Sequence, residues 1–289
     1  MHNRLMFTIC TKESLPALFE FIADRNKLYK CLILGTTTAQ VQDDFENFEI
    51  DISTFYLKLE GGEIIGAIGI QPDKHIYGPW VSETHSLKVL GQELLDYVLA
   101  IAKDLKYDSV GPYVDGTATE TIELFKRNGF KIEKQEYGMK CTKNNIIQID
   151  TNSDLECRLI DPHNPESKDA LAIHLECFSP INFNASNWDE KMSNAKYLLF
   201  GCFKDQRLIS YAIVLKQEVE LYVYYLGTSK DSRKIGSATK LMVTIREWFT
   251  NSVFEKIVLN VGITKQEAKT LYEKVGFRTI NDHLIFCLY

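Results

Sequence analysis

The chain has 289 residues, room for two domains at roughly 100–200 residues each. Hydrophobic residues make up 45% and charged residues 25%, the balance of a folded globular protein and not of a disordered one. The net charge of −6 argues against broad nucleic-acid binding, which needs a basic face; it leans weakly toward a cationic substrate such as an amine, and more simply is the acidic balance that keeps a protein dispersed in water.

The first ten residues hold no long apolar run, and no stretch approaches the roughly 18 apolar residues of a membrane span. No secretory signal and no membrane segment is expected. The seven cysteines are odd in number and show no C-x-x-C spacing. They read as free thiols in a reducing, cytoplasmic setting, without a metal site or disulfide framework.

In chain order, a strand over 6–10 leads into amphipathic helices. A meander of strands follows at 54–59, 64–70 and 77–81. Next come a long helix over 87–105, a strand over 109–114, a helix over 119–128 and a strand over 138–141. The polar stretch 142–154 (TKNNIIQIDTNSD) reads as a linker. The order then starts again. A strand over 157–160 and amphipathic helices precede strands at 196–203, 208–216 and 218–228. A helix over 236–249, a strand over 256–261, a helix over 265–274 and a strand over 284–288 complete it.

The helix assignments have mechanisms. Leu241, Met242, Ile245, Trp248 and Phe249 recur at the three-and-four spacing of one helical face. Gly129 and Gly276 follow their helices where a left-handed C-terminal residue belongs.

The second series echoes the first in sequence too. Glu123-Leu124-Phe125-Lys126-Arg127-Asn128-Gly129-Phe130 parallels Thr270-Leu271-Tyr272-Glu273-Lys274-Val275-Gly276-Phe277, with Phe125 and Tyr272 147 positions apart. Ile64-Ile65-Gly66-Ala67-Ile68 parallels Leu208-Ile209-Ser210-Tyr211-Ala212 at an offset of 144. Two echoes in one order at nearly one offset argue for two copies of a single fold. The expectation is an α+β protein with a mixed sheet. Its domains would be residues 1–145 and 155–289, each a mostly antiparallel central sheet flanked by helices.

The stretch that carries chemistry is Leu226-Gly227-Thr228, a polar turn, then Arg233-Lys234-Ile235-Gly236-Ser237-Ala238. It reads as a strand end, a basic turn and a helix start made of small residues. The first N–H groups of a helix have no partner within it, and its dipole is positive there, so an anion such as a pyrophosphate fits. Gly236 and Ala238 allow close backbone approach, and Arg233 and Lys234 add cationic donors. By itself such a turn is equally a plain helix start.

Arg233-x-x-Gly236-x-Ala238 resembles the acetyl-CoA signature (Q/R-x-x-G-x-G/A) of the GNAT superfamily. Ala268-x-x-Leu271-Tyr272-Glu273-Lys274-x-Gly276-Phe277 is similar to a second segment of that family, in the family's order and spacing. The family often carries Asn where Lys265 stands here, which leaves no side-chain contact to the cofactor expected at that position.

The resemblance implies a GNAT N-acetyltransferase with two such domains in tandem. Acetyl-CoA is the implied co-substrate, a small-molecule amine the implied acceptor, and no metal is involved. Backbone amides near Leu226 and Thr228 would hold the pantetheine, and one would stabilise the oxyanion. Arg233, Lys234, Ile235, Gly236, Ser237 and Ala238 would receive the phosphates. Tyr272 matches the general acid, and with an ordinary pKa of about 10 it holds its proton at neutral pH. Glu220, on the strand before the turn, is the candidate base, although a plain surface carboxylate is the commoner meaning. Glu218 lies on the same face. His174 and His283 carry no more weight than any core histidine. Trp188, Tyr222, Tyr224 and Tyr225 fit an acceptor pocket or simple core packing equally well.

The first copy lacks this equipment. Its equivalent stretch, Ser82–Gly91 in position, has no R-x-x-G-x-G/A; Glu83 adds negative charge, Val89 stands at the offset of Gly236, and Phe125 replaces Tyr272. Its expected role is structural: completing the sheet, covering the cleft, or forming an interface, including one with a second copy in a homodimer. A protein that binds acetyl-CoA or another acyl-CoA without transferring the acyl group is the alternative function.

Overall fold

The computed structural model of the chain describes residues 7–31, 34–145, 147, 149–151, 154–178 and 183–289. Met6, in the expected first strand, and residues 146, 148, 152 and 153 of the expected linker lie outside these. The first series is β1 (Thr8–Ile9), α1 (Leu15–Tyr29), α2 (Thr38–Asn47), β2 (Phe55–Glu60), β3 (Glu63–Ile70), β4 (His75–Val81), α3 (Gln92–Asp104), β5 (Gly111–Asp115), α4 (Thr119–Arg127) and β6 (Lys131–Thr142). The second is β7 (Glu156–Ile160), α5 (Glu166–Cys177), α6 (Trp188–Ser193), β8 (Tyr197–Lys204), β9 (Arg207–Lys216), β10 (Glu220–Thr228), α7 (Ser237–Thr250), β11 (Lys256–Gly262), α8 (Gln266–Lys274) and β12 (Arg278–Cys287). The two repeat one order, element for element.

The chain forms two compact units. One runs to Glu136 and takes back Asn281–Tyr289; the other is Tyr137–Ile280. The first unit orders its strands β1-β2-β3-β4-β5-β12, antiparallel except for the parallel β4–β5 pair. The second orders them β6-β11-β10-β9-β8-β7, antiparallel from β7 to β10 and parallel from β10 to β11.

Each last strand is therefore long and passes from one unit to the other, where two contiguous halves, 1–145 and 155–289, were expected. Leu284 and Phe286 of β12 lie in the first unit's core, with the Phe286 ring centroid 6.1 Å from that of Phe125. Met139 and Cys141 of β6 lie in the second unit's core. The leading ends, Lys131–Lys134 of β6 and Arg278–Ile280 of β12, are exposed and carry little apolar pattern, so sequence periodicity recognised only the buried tails.

The helices bury the faces their spacing specifies. Leu241, Met242, Ile245 and Phe249 of α7 are buried in the second unit, and Leu94, Leu95 and Val98 of α3 in the first. Gly129 and Gly276 adopt φ of 84° and 99°, the left-handed region that ends a helix. Among the described residues, no helix is long and apolar enough to cross a membrane.

Candidate functional site

In the second unit β10 and β11 begin as neighbours and then part. Glu220, Leu221 and Tyr222 pair with Lys256, Ile257 and Val258, and the register stops there although both strands continue. Beyond that point β10 stays bound to β9 through Thr228, with an irregularity between Val223 and Tyr225 that leaves Tyr224 as the extra residue. Such a bulge bends its strand and re-aims its side chains. Alternate backbone groups of residues 223–228 point away from β9, along an edge that no strand of the described residues pairs with. Leu226 and Thr228 lie on this segment. The Asn260 side chain reaches back to the Tyr222 hydroxyl at 3.3 Å, just past the last paired rung.

The turn after β10 ends in a helix start without a side-chain cap. Arg233 is extended, Lys234 has φ of 64°, and Gly236, at φ of 91°, is the N-cap of α7. A left-handed residue followed by a right-handed one directs successive N–H groups to one side, a concavity suited to an anion. A Cβ placed on Gly236 would meet nothing within 4 Å, so the glycine serves backbone conformation and leaves free space in front of the helix. Arg233 and Lys234 are exposed, and neither has an ion-pair partner among the described residues. Ser237 is buried behind them. The helix-start N–H donors and the two exposed cations fit a phosphate group, with Asp231 as the turn's own carboxylate and Glu176 accepting from the Lys230 N–H at 2.9 Å.

Tyr272, on α8, is buried in the same core, against which Leu226 and Ile235 also pack. Burial pushes its hydroxyl pKa up to about 12. The hydroxyl has no hydrogen-bond partner among the described residues, so its proton is free to be donated. Glu220 stands elsewhere. It opens β10, and its carboxylate is ion-paired with Lys256 at 2.5 Å. Six residues of strand separate it from Leu226, about 20 Å at roughly 3.3 Å per residue.

Two groups not singled out by the sequence hold the end of β10. Ser210 on β9 donates to the Gly227 carbonyl at 2.7 Å and lies 2.9 Å from the Thr228 hydroxyl. The Cys177 thiol, closing α5, donates to the Thr228 carbonyl at 3.4 Å. Beside them His174 is fully buried, its Nδ1 2.6 Å from the Tyr211 hydroxyl and its ring centroid 4.8 Å from that of Tyr225. Burial lowers the pKa of His174 and raises that of Tyr211, so the pair is neutral at ordinary pH. Phe178, Phe183 and Trp188 complete an aromatic cluster around it. Trp188 is entirely within this packing, whereas Tyr222, Tyr224 and Tyr225 keep partial exposure along the parting strand. A serine, a cysteine and a histidine in apolar stretches carry no sequence signal of this kind. Their role depends on which strand end they meet.

The first unit has the same parting of strands, but its own chain fills it. Among the described residues β4 and β5 pair at His75–Gly111 and Ile76–Pro112 and no further. Past that point Cys31 bridges to Val114, and the Asp115 N–H donates to the Lys30 carbonyl at 3.1 Å. On the other side the Cys31 thiol donates to the Gly78 carbonyl at 3.8 Å. The Asn26 carboxamide fixes the segment: its oxygen accepts from the Cys31 N–H at 2.8 Å and from the Trp80 indole at 3.1 Å. Glu83, near the start of the following helix, is held by Arg25 at 2.9 Å. Phe125, buried, occupies the counterpart of Tyr272.

Comparison with known proteins agrees with the two-copy reading. A model described as "Acetyltransferase (GNAT) domain" matches residues 162–286, and one described as "Acetyltransferase (GNAT) family" matches residues 25–130. Together they span most of the chain, which belongs to the GNAT acetyltransferase family and carries two GNAT domains. Similar solved structures include a GCN5-related N-acetyltransferase from Sphaerobacter thermophilus, with 15% identity, 100% of this chain and 96% of the other covered, and a TM-score of 0.81. A tandem GNAT protein from the clavulanic acid biosynthesis pathway follows at 10% identity, coverage of 97% and 96%, and a TM-score of 0.71. A GNAT-family acetyltransferase from Colwellia psychrerythraea has 11% identity, coverage of 98% of both chains, and a TM-score of 0.63. At these identities the likeness is one of fold. No curated protein matches the chain by sequence.

Proposed function

We propose that the chain is an N-acetyltransferase that moves an acetyl group from acetyl-CoA to a primary amine, and that the second unit alone does the chemistry. The observation that carries this reading is the parting of β10 from β11 beyond Tyr222, ending at an uncapped helix start with free Arg233 and Lys234. The pyrophosphate sits at the N–H groups of Ser237 and Ala238, beside Gly236. The pantetheine lies along the unpaired edge at Leu226–Thr228, and a backbone N–H there stabilises the oxyanion.

The neutral amine attacks the thioester carbonyl, the C–S bond breaks, and Tyr272 protonates the departing thiolate; the proton shed by the amine nitrogen passes to water, and water restores the Tyr272 hydroxyl. Its raised pKa keeps that proton in place across the working pH range. We read Glu220 as a structural partner of Lys256, because the ion pair and the strand distance hold it away from the reacting carbonyl. The partly exposed Tyr222, Tyr224 and Tyr225 form an acceptor wall suited to an amine with an apolar or aromatic body.

The test is a panel of amines with acetyl-CoA, read as release of free coenzyme thiol. Acceptor-dependent release supports transfer. Tight acetyl-CoA binding with no release from any amine favours a binding or sensing protein instead.

A further inference from the structure

Seven thiols are spread through the chain, and two of them face each other. Cys157 on β7 and Cys202 on β8 are direct cross-strand partners in an antiparallel pair. Directly opposed residues in such a pair have Cα atoms about 4.5 or 5.5 Å apart, depending on the rung, and both values fall within the roughly 4.4–6.8 Å that a disulfide spans. Opposed residues also send their side chains to the same face of the sheet. Here that face is covered by α7, which packs on both β7 and β8. Both cysteines are free; Cys202 is fully buried, while Cys157 keeps partial exposure.

We propose that Cys157 and Cys202 form an oxidisable thiol pair that closes to a cross-strand disulfide when a peroxide reaches it. The single thiolate shared by the pair attacks one peroxide oxygen, the O–O bond breaks, and a sulfenic acid forms as hydroxide leaves and is protonated to water. The other sulfur then attacks the sulfenic sulfur, displacing a second water and forming the S–S bond. Two thiols lose two electrons and two protons, and the peroxide is reduced to two waters.

The surroundings favour ionisation of the pair. The hydrogen bond between the two thiols raises the pKa of Cys157 and lowers that of Cys202, and the charge of Lys240 on α7 favours the thiolate at either sulfur. The first proton therefore leaves the pair more readily than it would leave a lone buried cysteine, and the second leaves much less readily. The bond would form beneath the helix whose first turn is the phosphate turn of the proposed acetyltransferase site, yet the proposal does not depend on that activity.

The intact chain is treated with a small excess of hydrogen peroxide at neutral pH. Remaining thiols are alkylated in denaturant, and the non-reduced peptides are mapped by mass spectrometry. The expected product joins the Cys157 peptide to the Cys202 peptide, two hydrogens lighter than their sum and reopened by dithiothreitol. In Cys202→Ser the reaction should stop at a Cys157 sulfenic acid that dimedone captures. Alkylation of both cysteines after peroxide, or a Cys157 sulfinic acid with Cys202 still free, overturns the proposal. The wild-type map decides the question even if the variant does not fold.

Discussion

Replacing Gly236 by Val separates folding from binding at the proposed phosphate turn. At φ of 91° a residue with a Cβ is strained, and the left-handed region costs a non-glycine residue about 1–2 kcal/mol. β-Branching places valine at or above the top of that range. No clash adds to it, because nothing lies within 4 Å of the added Cβ. At roughly 2–4 °C per kcal/mol for a chain of this class, the melting temperature should fall by about 4–8 °C, and the protein should remain folded at 25 °C. Binding should suffer separately. The new methyl groups project into the space in front of α7, and relief of the strained φ would turn the N–H groups away from the phosphate. We expect acetyl-CoA affinity to fall at least tenfold, about 1.4 kcal/mol. Titration calorimetry on the folded variant, beside circular dichroism melting, measures both effects. Gly276→Ala is the control: its Cβ would lie 2.5 Å from the Asn145 carbonyl oxygen, so it should lose stability and leave the affinity of the folded fraction unchanged. A folded Gly236→Val protein with wild-type affinity refutes the assignment of the phosphate site.

Tyr272→Phe should lower kcat by about 10²–10⁴ with nearly unchanged acetyl-CoA affinity; steady-state kinetics with an identified acceptor that return a wild-type kcat would reduce Tyr272 to packing. Glu220→Gln should change kcat less than about tenfold, since its carboxylate is engaged by Lys256; a loss of the size expected for Tyr272→Phe would restore it as the base. Native mass spectrometry should find one acetyl-CoA per chain, because Lys30 and Cys31 fill the corresponding space of the first unit; two equivalent sites would contradict that. Burial lowers the His283 pKa to about 4 from its ordinary 6.5, against the pull of Asp115. The native state then binds fewer protons than the unfolded state across that window, so stability is full above about pH 6.5 and is lost as pH falls toward 4. His283→Gln should flatten the dependence of the melting temperature between these values, and an unaltered slope would assign it to other groups.

The sequence by itself determined the repeat, the α+β order of each copy and the composition of the turn at Arg233–Ala238. These depend on local chemistry. Strand alternation, helical spacing and a glycine at a helix start are short-range patterns that hold wherever the elements end up. Tertiary structure decided what depends on partners. Leu284 and Phe286 alternate as any inward-facing strand does, so nothing local says that they complete the first unit's core while Met139 and Cys141 complete the second's. Nor does anything local say that Glu220, a candidate base by sequence, stands opposite Lys256 and is ion-paired with it. Ser210 and Cys177 gained a role only when folding brought them to the end of β10. The parting of strands in the first unit is present in its backbone, and only long-range contacts show it filled, because residues 30 and 31 meet residues 114 and 115 through a fold that no sequence window spans.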